Sequence, residues 1–346
     1  VPARGPAVLG QTGAPRRIVV RVTRLGYQMP NFTYPGVAPA DLFATVVRQA
    51  READTSGFDT VMVMDHFYQL PMLGPPEHEM LECYATLAAL AQHTSTARLA
   101  ALVTGNTYRN PALLAKTVTT LDIVSGGRAQ LGIGAGWFEH EHQSLGFEFG
   151  TFTDRFEKLE EALQIITGMF AGEKPSLAGR WYQVDEAVNS PAPLGRIPIM
   201  IGGSGEKKTL RLVAQYADES NLTCGLDEVP RKLDALDAHC QRLGRDRSEI
   251  TVSLQARACV APTHDQALAE LDAALAERGM DPNAMGADDA AAIRGLIPHG
   301  DPDEIGELFA TYLGDGIDGL TVSAIANGHL EGRVALLGET LAPLVS

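Results

Sequence analysis

The sequence predicts an α/β protein of the (β/α)8-barrel class, and three observations predict it. Eight short runs rich in β-branched or other apolar residues recur along the chain, each leading into a segment able to form a helix, the pattern of repeated βα units around a parallel sheet. The length, 346 residues, lies in the range that one such barrel with insertions occupies. Hydrophobic residues at 45% and charged residues at 21% supply a large core and exclude a disordered or fibrous chain.

Taken in order, residues 1–18 carry scattered Arg, Gly and Pro and are expected to be a flexible leader. Residues 19–346 are expected to form a single barrel domain. Strands are expected near 22–28, 60–64, 99–103, 129–133, 197–201, 220–223, 250–260 and 319–323. Between the third and fourth, Asn110 is placed to cap a helix with Pro111 at its first position, where the missing N–H is harmless. Ser125-Gly126-Gly127 ends it. After the fourth, a helix is expected to open at Asp154 with Glu157 in capping-box spacing. It would bury Phe156, Leu159, Leu163, Ile166 and Phe170 as one stripe. Two segments exceed a minimal barrel and are expected as insertions able to cover a site: 171–196, which holds Trp181 and Tyr182, and 279–300.

The formal charge of −15 excludes a general nucleic-acid binder and a protein that docks on anionic lipid, since both need a basic face. Cys83, Cys224, Cys240 and Cys259 have no metal or disulfide spacing, which fits a reducing cytoplasm. No uninterrupted apolar run approaches a membrane span of about 18 residues.

In a barrel of this class the loops leaving the C-terminal ends of the strands build the site, so the residues just past each run carry the chemistry. Strand two exits into Asp65-His66-Phe67-Tyr68. His66 is the candidate acid or base, an imidazole at the barrel mouth. Strand four exits through Gly132, Gly134 and Gly136 into Trp137. The spacing is not that of a dinucleotide fingerprint, which leaves two readings: a tight corner, or a strand cleared of side chains so that a flat ring lies on its backbone. Strand five exits into Gly202-Gly203-Ser204-Gly205, with Lys207, Lys208 and Arg211 next at an expected helix start, an arrangement suited to an anion. His140 and His142 lack the spacing of a helical zinc pair and are expected to face solvent; no metal site is expected.

Together, Gly57-Phe58-Asp59-Thr60 with Asp65-His66-Phe67, Asn106-Thr107-Tyr108-Arg109-Asn110-Pro111, Ser125-Gly126-Gly127-Arg128 with Gly132-Ile133-Gly134-Ala135-Gly136-Trp137, and Gly202-Gly203-Ser204-Gly205 resemble the luciferase-like monooxygenase superfamily. The resemblance covers about 20–345. Within it the chain looks most like the branch that uses coenzyme F420, an 8-hydroxy-5-deazaflavin with a phosphate-linked acidic tail. The resemblance implies that His66 sits at the reactive carbon and Asp65 near the ring. It implies a non-proline cis peptide at Ala101-Leu102 backing the ring, contacts from Thr104, Asn106, Ala135 and Gly136, and a phosphate held by Gly203, Ser204 and Gly205. The branch's sugar-phosphate dehydrogenases carry an acidic donor directly after the strand-four glycines; Trp137 stands there instead, which argues against glucose 6-phosphate as substrate. Trp137, with Tyr68, is assigned to an apolar or planar substrate.

The function expected is therefore hydride transfer between F420 and a small organic substrate by a cytoplasmic enzyme, with homodimer formation implied by the resemblance. One alternative is an FMN-dependent monooxygenase fed reduced flavin by a separate reductase, against which the Lys207-Lys208-Arg211 cluster leans slightly towards the longer anionic tail. Another is a catalytically silent barrel that binds a flavin-type ligand.

Overall fold

The computed structural model describes residues 24–345; the leader expected at 1–18 lies outside the described residues. Eight parallel strands form the barrel: β1 (Leu25–Met29), β2 (Thr60–Val63), β3 (Arg98–Ala101), β4 (Ala129–Gly134), β5 (Ile199–Gly202), β6 (Glu219–Leu222), β7 (Thr251–Arg257) and β8 (Gly319–Ser323). Consecutive strands are neighbours. β8 returns to β1 with Leu320 opposite Leu25, and β3 meets β4 with Leu99 opposite Ala129, so the sheet has no open edge along this ring.

Each expected run overlaps a strand. The run expected over 250–260 is divided, because Ala258 N donates to Ser323 O at the end of β8 and no barrel partner remains beyond it. Cys259–Val260 instead pairs with His299–Gly300 from the second insertion, which satisfies its backbone.

Helices α1 (Leu42–Thr55), α2 (Cys83–Leu90), α3 (Pro111–Ser125), α4 (Glu139–Leu145), α5 (Phe152–Phe170), α6 (Thr209–Tyr216), α7 (Val229–Leu243), α8 (His264–Glu277), α9 (Ala287–Arg294), α10 (Pro302–Gly314) and α11 (Arg333–Val345) follow in chain order. α3 starts and stops as its sequence dictates: Asn110 Oδ1 accepts from the amides of Ala112 and Leu113, and Gly126 turns left-handed at φ 71°. α5 begins earlier than expected. Thr151 is its cap and Asp154 is the third residue of the helix, each side chain bonding the other's amide, so Asp154 closes the box that Glu157 was expected to close. Leu159, Leu163 and Ile166 are buried, with Phe156 and Phe170 at the stripe's half-buried ends.

The 171–196 insertion contains an antiparallel hairpin, Leu177–Ala178 against Gln183–Val184. The amides of Arg180, Trp181 and Tyr182 all donate to the Glu161 carboxylate, at 2.8, 2.9 and 2.8 Å, which ties the hairpin to α5. The 279–300 insertion carries α9, held to α8 by the two-point pair of Arg294 with Asp272.

The main core fills the layer between strands and helices. Inside the barrel, Met62, Ala100, Leu102 and Met200 pack together, and Asn221 donates to Ser253 Oγ and Thr321 Oγ1. The barrel is thus plugged, and open space is left at the C-terminal mouth. No helix among the described residues is long and apolar enough to cross a membrane.

Candidate active site

A cavity of about 610 Å³ lies at the C-terminal ends of the strands. Of the residues assigned from sequence, Asp65, His66, Leu102, Thr104, Ala135, Gly136, Trp137 and Gly203 line it. Ala101 packs into the main core, and Asn106 is buried with its amide nitrogen 3.4 Å from Tyr182 Oη. Ser204 Oγ accepts from Thr223 N, tying the β5 exit to that of β6, and Gly205 is exposed. Tyr68 packs its ring against His140 and does not line the cavity.

The cis peptide expected at Ala101-Leu102 falls one residue later, at Leu102-Val103. Val103 explains the glycines around it. A Cβ on Gly202 would lie 2.9 Å from Val103 Cγ1, one on Gly134 would lie 3.1 Å from Val103 Cγ2, and one on Gly132 would lie 2.0 Å from Ala101 O. The side chains absent from β4 therefore admit the protein's own β3 bulge rather than leaving bare strand for a ring. Val103, half-buried, presents an apolar floor to the cavity.

His66 follows β2 and is held from behind. Its Nδ1 lies 2.8 Å from Glu141 Oε2, which also accepts from Tyr108 Oη at 2.6 Å. Glu141 Oε1 accepts from the amides of Phe67 and Tyr68, at 2.6 and 2.8 Å. Burial alone would raise the Glu141 carboxyl, yet the bonds from His66, Tyr108 and Tyr68 outweigh it and hold the group below its ordinary range. An ionised Glu141 can only accept, so Nδ1 carries the hydrogen, and Nε2 has no partner among the described residues. Trp137 and Phe138 meet the imidazole edge-on, with centroids 5.7 and 5.8 Å away.

Asp65 is buried and bound at two points by Arg109, at 2.5 and 3.0 Å; burial pushes its carboxyl up, against the pull of that guanidinium. Arg109 also bonds Glu82 and lies over the Tyr84 ring. Tyr84 Oη in turn lies 2.6 Å from Thr104 Oγ1.

Glu141 and Arg109 received no role from sequence reasoning. Glu139-His140-Glu141-His142 has the look of a solvent-facing run, but Phe138, Glu141 and His142 fall at helical spacing, and that was the available signal. His142 was expected in solvent and is fully buried. Its Nε2 lies 2.6 Å from Thr107 Oγ1 and its Nδ1 2.8 Å from Phe138 O, and burial holds its pKa below the ordinary value.

The expected cation cluster is dispersed. α6 begins at Thr209, so Lys207 and Lys208 precede its first turn; Lys208 Nζ reaches Thr153 Oγ1, and Arg211 is paired with Glu160 at 2.6 and 2.8 Å. Among the described residues no group of three or more His, Cys, Asp or Glu is arranged to hold a metal ion.

A family profile described as luciferase-like monooxygenase matches residues 23–319. An F420-dependent glucose-6-phosphate dehydrogenase of Nakamurella multipartita is 30% identical over 316 residues, covering 84% of this chain and 89% of that protein. One from Microbacterium testaceum is 32% identical over 220 residues, covering 62% of this chain and 64% of that protein. Among solved structures, an F420-dependent secondary alcohol dehydrogenase in complex with an F420-acetone adduct superposes with a TM-score of 0.75 at 20% identity, over 94% of this chain and 99% of that one.

Proposed function

The chain belongs to the luciferase-like monooxygenase family, and from that premise we propose that it is an F420-dependent oxidoreductase passing a hydride between the deazaflavin and a small organic substrate. Relatives named for F420-dependent dehydrogenases support the cofactor, as does a 5,10-methylenetetrahydromethanopterin reductase of Methanolobus tindarius, 27% identical over 76% of this chain and 78% of that protein.

The cavity fits such a group. It offers an apolar floor at Val103, the Ala135 methyl group beside it, and the buried polar side chains of Thr104 and Gln28 in its lining. When bound, F420 supplies a two-electron hydride donor or acceptor, the part of the chemistry a protein side chain cannot perform.

The observation that carries the reading is the His66–Glu141 pair. With Nδ1 donating to Glu141, Nε2 is left to accept a proton from a substrate hydroxyl in the oxidising direction and to return it in the reducing direction. Glu141 stabilises the imidazolium that forms and keeps the ring in place. Trp137, exposed at the mouth beside His66, is placed to cover an apolar or planar substrate and exclude water. The acidic group missing after Gly136 is supplied from α4 by Glu141, behind the imidazole rather than beside it.

Titration of the purified protein with F420 and, separately, FMN at matched salt tests the cofactor. Tighter binding of F420 supports hydride transfer; tighter binding of FMN sinks it and favours a monooxygenase with a separate reductase. Because Arg211 is paired with Glu160, it no longer argues for the longer tail.

We further propose a cytoplasmic homodimer. The four cysteines are free, which supports a reducing compartment. Leu113 and Val124 on α3 and Val188 and Leu194 on the segment laid against it are exposed apolar side chains, which supports association through that face. Sedimentation equilibrium of wild type and L113E/L194E separates a dimer from a monomer.

A further inference from the structure

A second chamber, about 680 Å³, adjoins the cavity already described. It lies between the loop after β2 and the 279–300 insertion, and the two spaces share Met72, Leu73, Arg257 and Ile325. Its walls are largely apolar, from Phe138, Leu275, Met280, Ile293, Leu296 and Ile297. Met72 is 59% exposed and Leu296 67%, so apolar surface stands open to be covered.

Polar groups in the chamber are few: one is a buried donor without an acceptor, and two are arginines, Arg257 exposed and Arg278 half-buried. Gln69 is buried; its Oε1 accepts from Leu70 N, but its Nε2 has no partner. An orphaned buried amide N–H is costly unless a ligand supplies an acceptor. Arg257 and Arg278 both line the chamber, and neither has a carboxylate at ion-pair distance among the described residues. Arg278 spends one amino group on Ile325 O, and Arg257 approaches only the Met72 sulfur. Burial, with the neighbouring Arg257 charge, pushes the Arg278 guanidinium down against the pull of the Glu277 carboxylate. In a chain of net charge −15, two adjoining arginines with no carboxylate at ion-pair distance among the described residues mark a place for an anion.

We propose that this chamber binds the apolar body of a carboxylate-bearing substrate, whose carboxylate is met by Arg257 and Arg278 and whose reacting end extends past Met72 and Ile325 to His66. That the bound acid is a substrate rests on the oxidoreductase reading; that it binds does not. The insertion expected to cover the site thus has a definite part, since Met280, Ile293, Leu296 and Ile297 come from it.

The test is calorimetric titration of the purified protein, without added cofactor, using sodium octanoate, octan-1-ol and sodium butanoate. Octanoate is expected to bind at least tenfold more tightly than octan-1-ol, and each added methylene from butanoate to tighten binding roughly three- to fourfold. Arg257→Gln should abolish the preference for the acid, and Leu296→Glu, at an exposed position that lines only the second chamber, should weaken octanoate binding while leaving F420 affinity unchanged. Equal affinity for octanoate and octan-1-ol overturns the proposal. So does an Arg257→Gln variant that loses F420 affinity while keeping octanoate, which would assign the arginine to the cofactor's acidic tail. A protein that prefers octanoate but fails to bind F420 supports the chamber and overturns the cofactor reading alone.

Discussion

His66 and Glu141 stand 75 positions apart in the chain, yet Nδ1 of one lies 2.8 Å from Oε2 of the other, and that contact fixes which imidazole nitrogen faces the cavity. In Glu141→Gln the amide nitrogen can donate to Nδ1 and reverse the tautomer. Turnover should fall roughly 100-fold or more, with F420 affinity retained. Steady-state kinetics beside a cofactor titration checks this; unchanged kcat would remove Glu141 from any part in the reaction.

Arg109 neutralises a buried carboxylate at Asp65. Arg109→Met should destabilise the fold by about 3–5 kcal/mol in urea unfolding, because Asp65 is left charged and unpaired. Adding Asp65→Asn should recover most of that loss. A double variant as unstable as the single one would show that packing of the Arg109 stem over Tyr84 matters more than its charge.

Gly202 and Val103 form a steric pair. Gly202→Ala sets a Cβ 2.9 Å from Val103 Cγ1 and should lose about 1–3 kcal/mol. Val103→Ala in the same chain should relieve it, giving a coupling of about 1 kcal/mol in a double-mutant cycle. Additive effects would mean that Val103 moves aside freely.

Stability should fall with acid in a window set by His142. Its folded pKa is held by burial below the ordinary 6.5, so the folded state favours the neutral ring. That contribution is complete above about 6.5, where the unfolded ring is also neutral, and is lost as pH falls through the folded value. Denaturant midpoints from pH 7.5 to 5 should decline for wild type and decline less for His142→Gln. Glu141, also held low, adds a second loss at lower pH, below its ordinary 4.5.

Much of the barrel was legible because the period of the apolar runs and the identity of cap residues are local properties. Asn110 with Pro111 and Gly126 marked both ends of α3, and the β2 and β4 exits located the mouth of the barrel. At α5 the local signal was ambiguous, since Asp154 suits both a cap and the third helical position, and Thr151 won by bonding its amide.

The sequence by itself determined the barrel class and His66 as the imidazole at its mouth, since both follow from short local patterns repeated along the chain. Only the tertiary structure decided what His66, Asp65 and the glycines do. Glu141 turns inward because α4 packs that face against Tyr108 and the loop after β2, Arg109 reaches Asp65 across 44 positions, and Gly132, Gly134 and Gly202 make room for Val103 and its strand. Those roles depend on distances between segments remote in the chain, and no local period records such a distance.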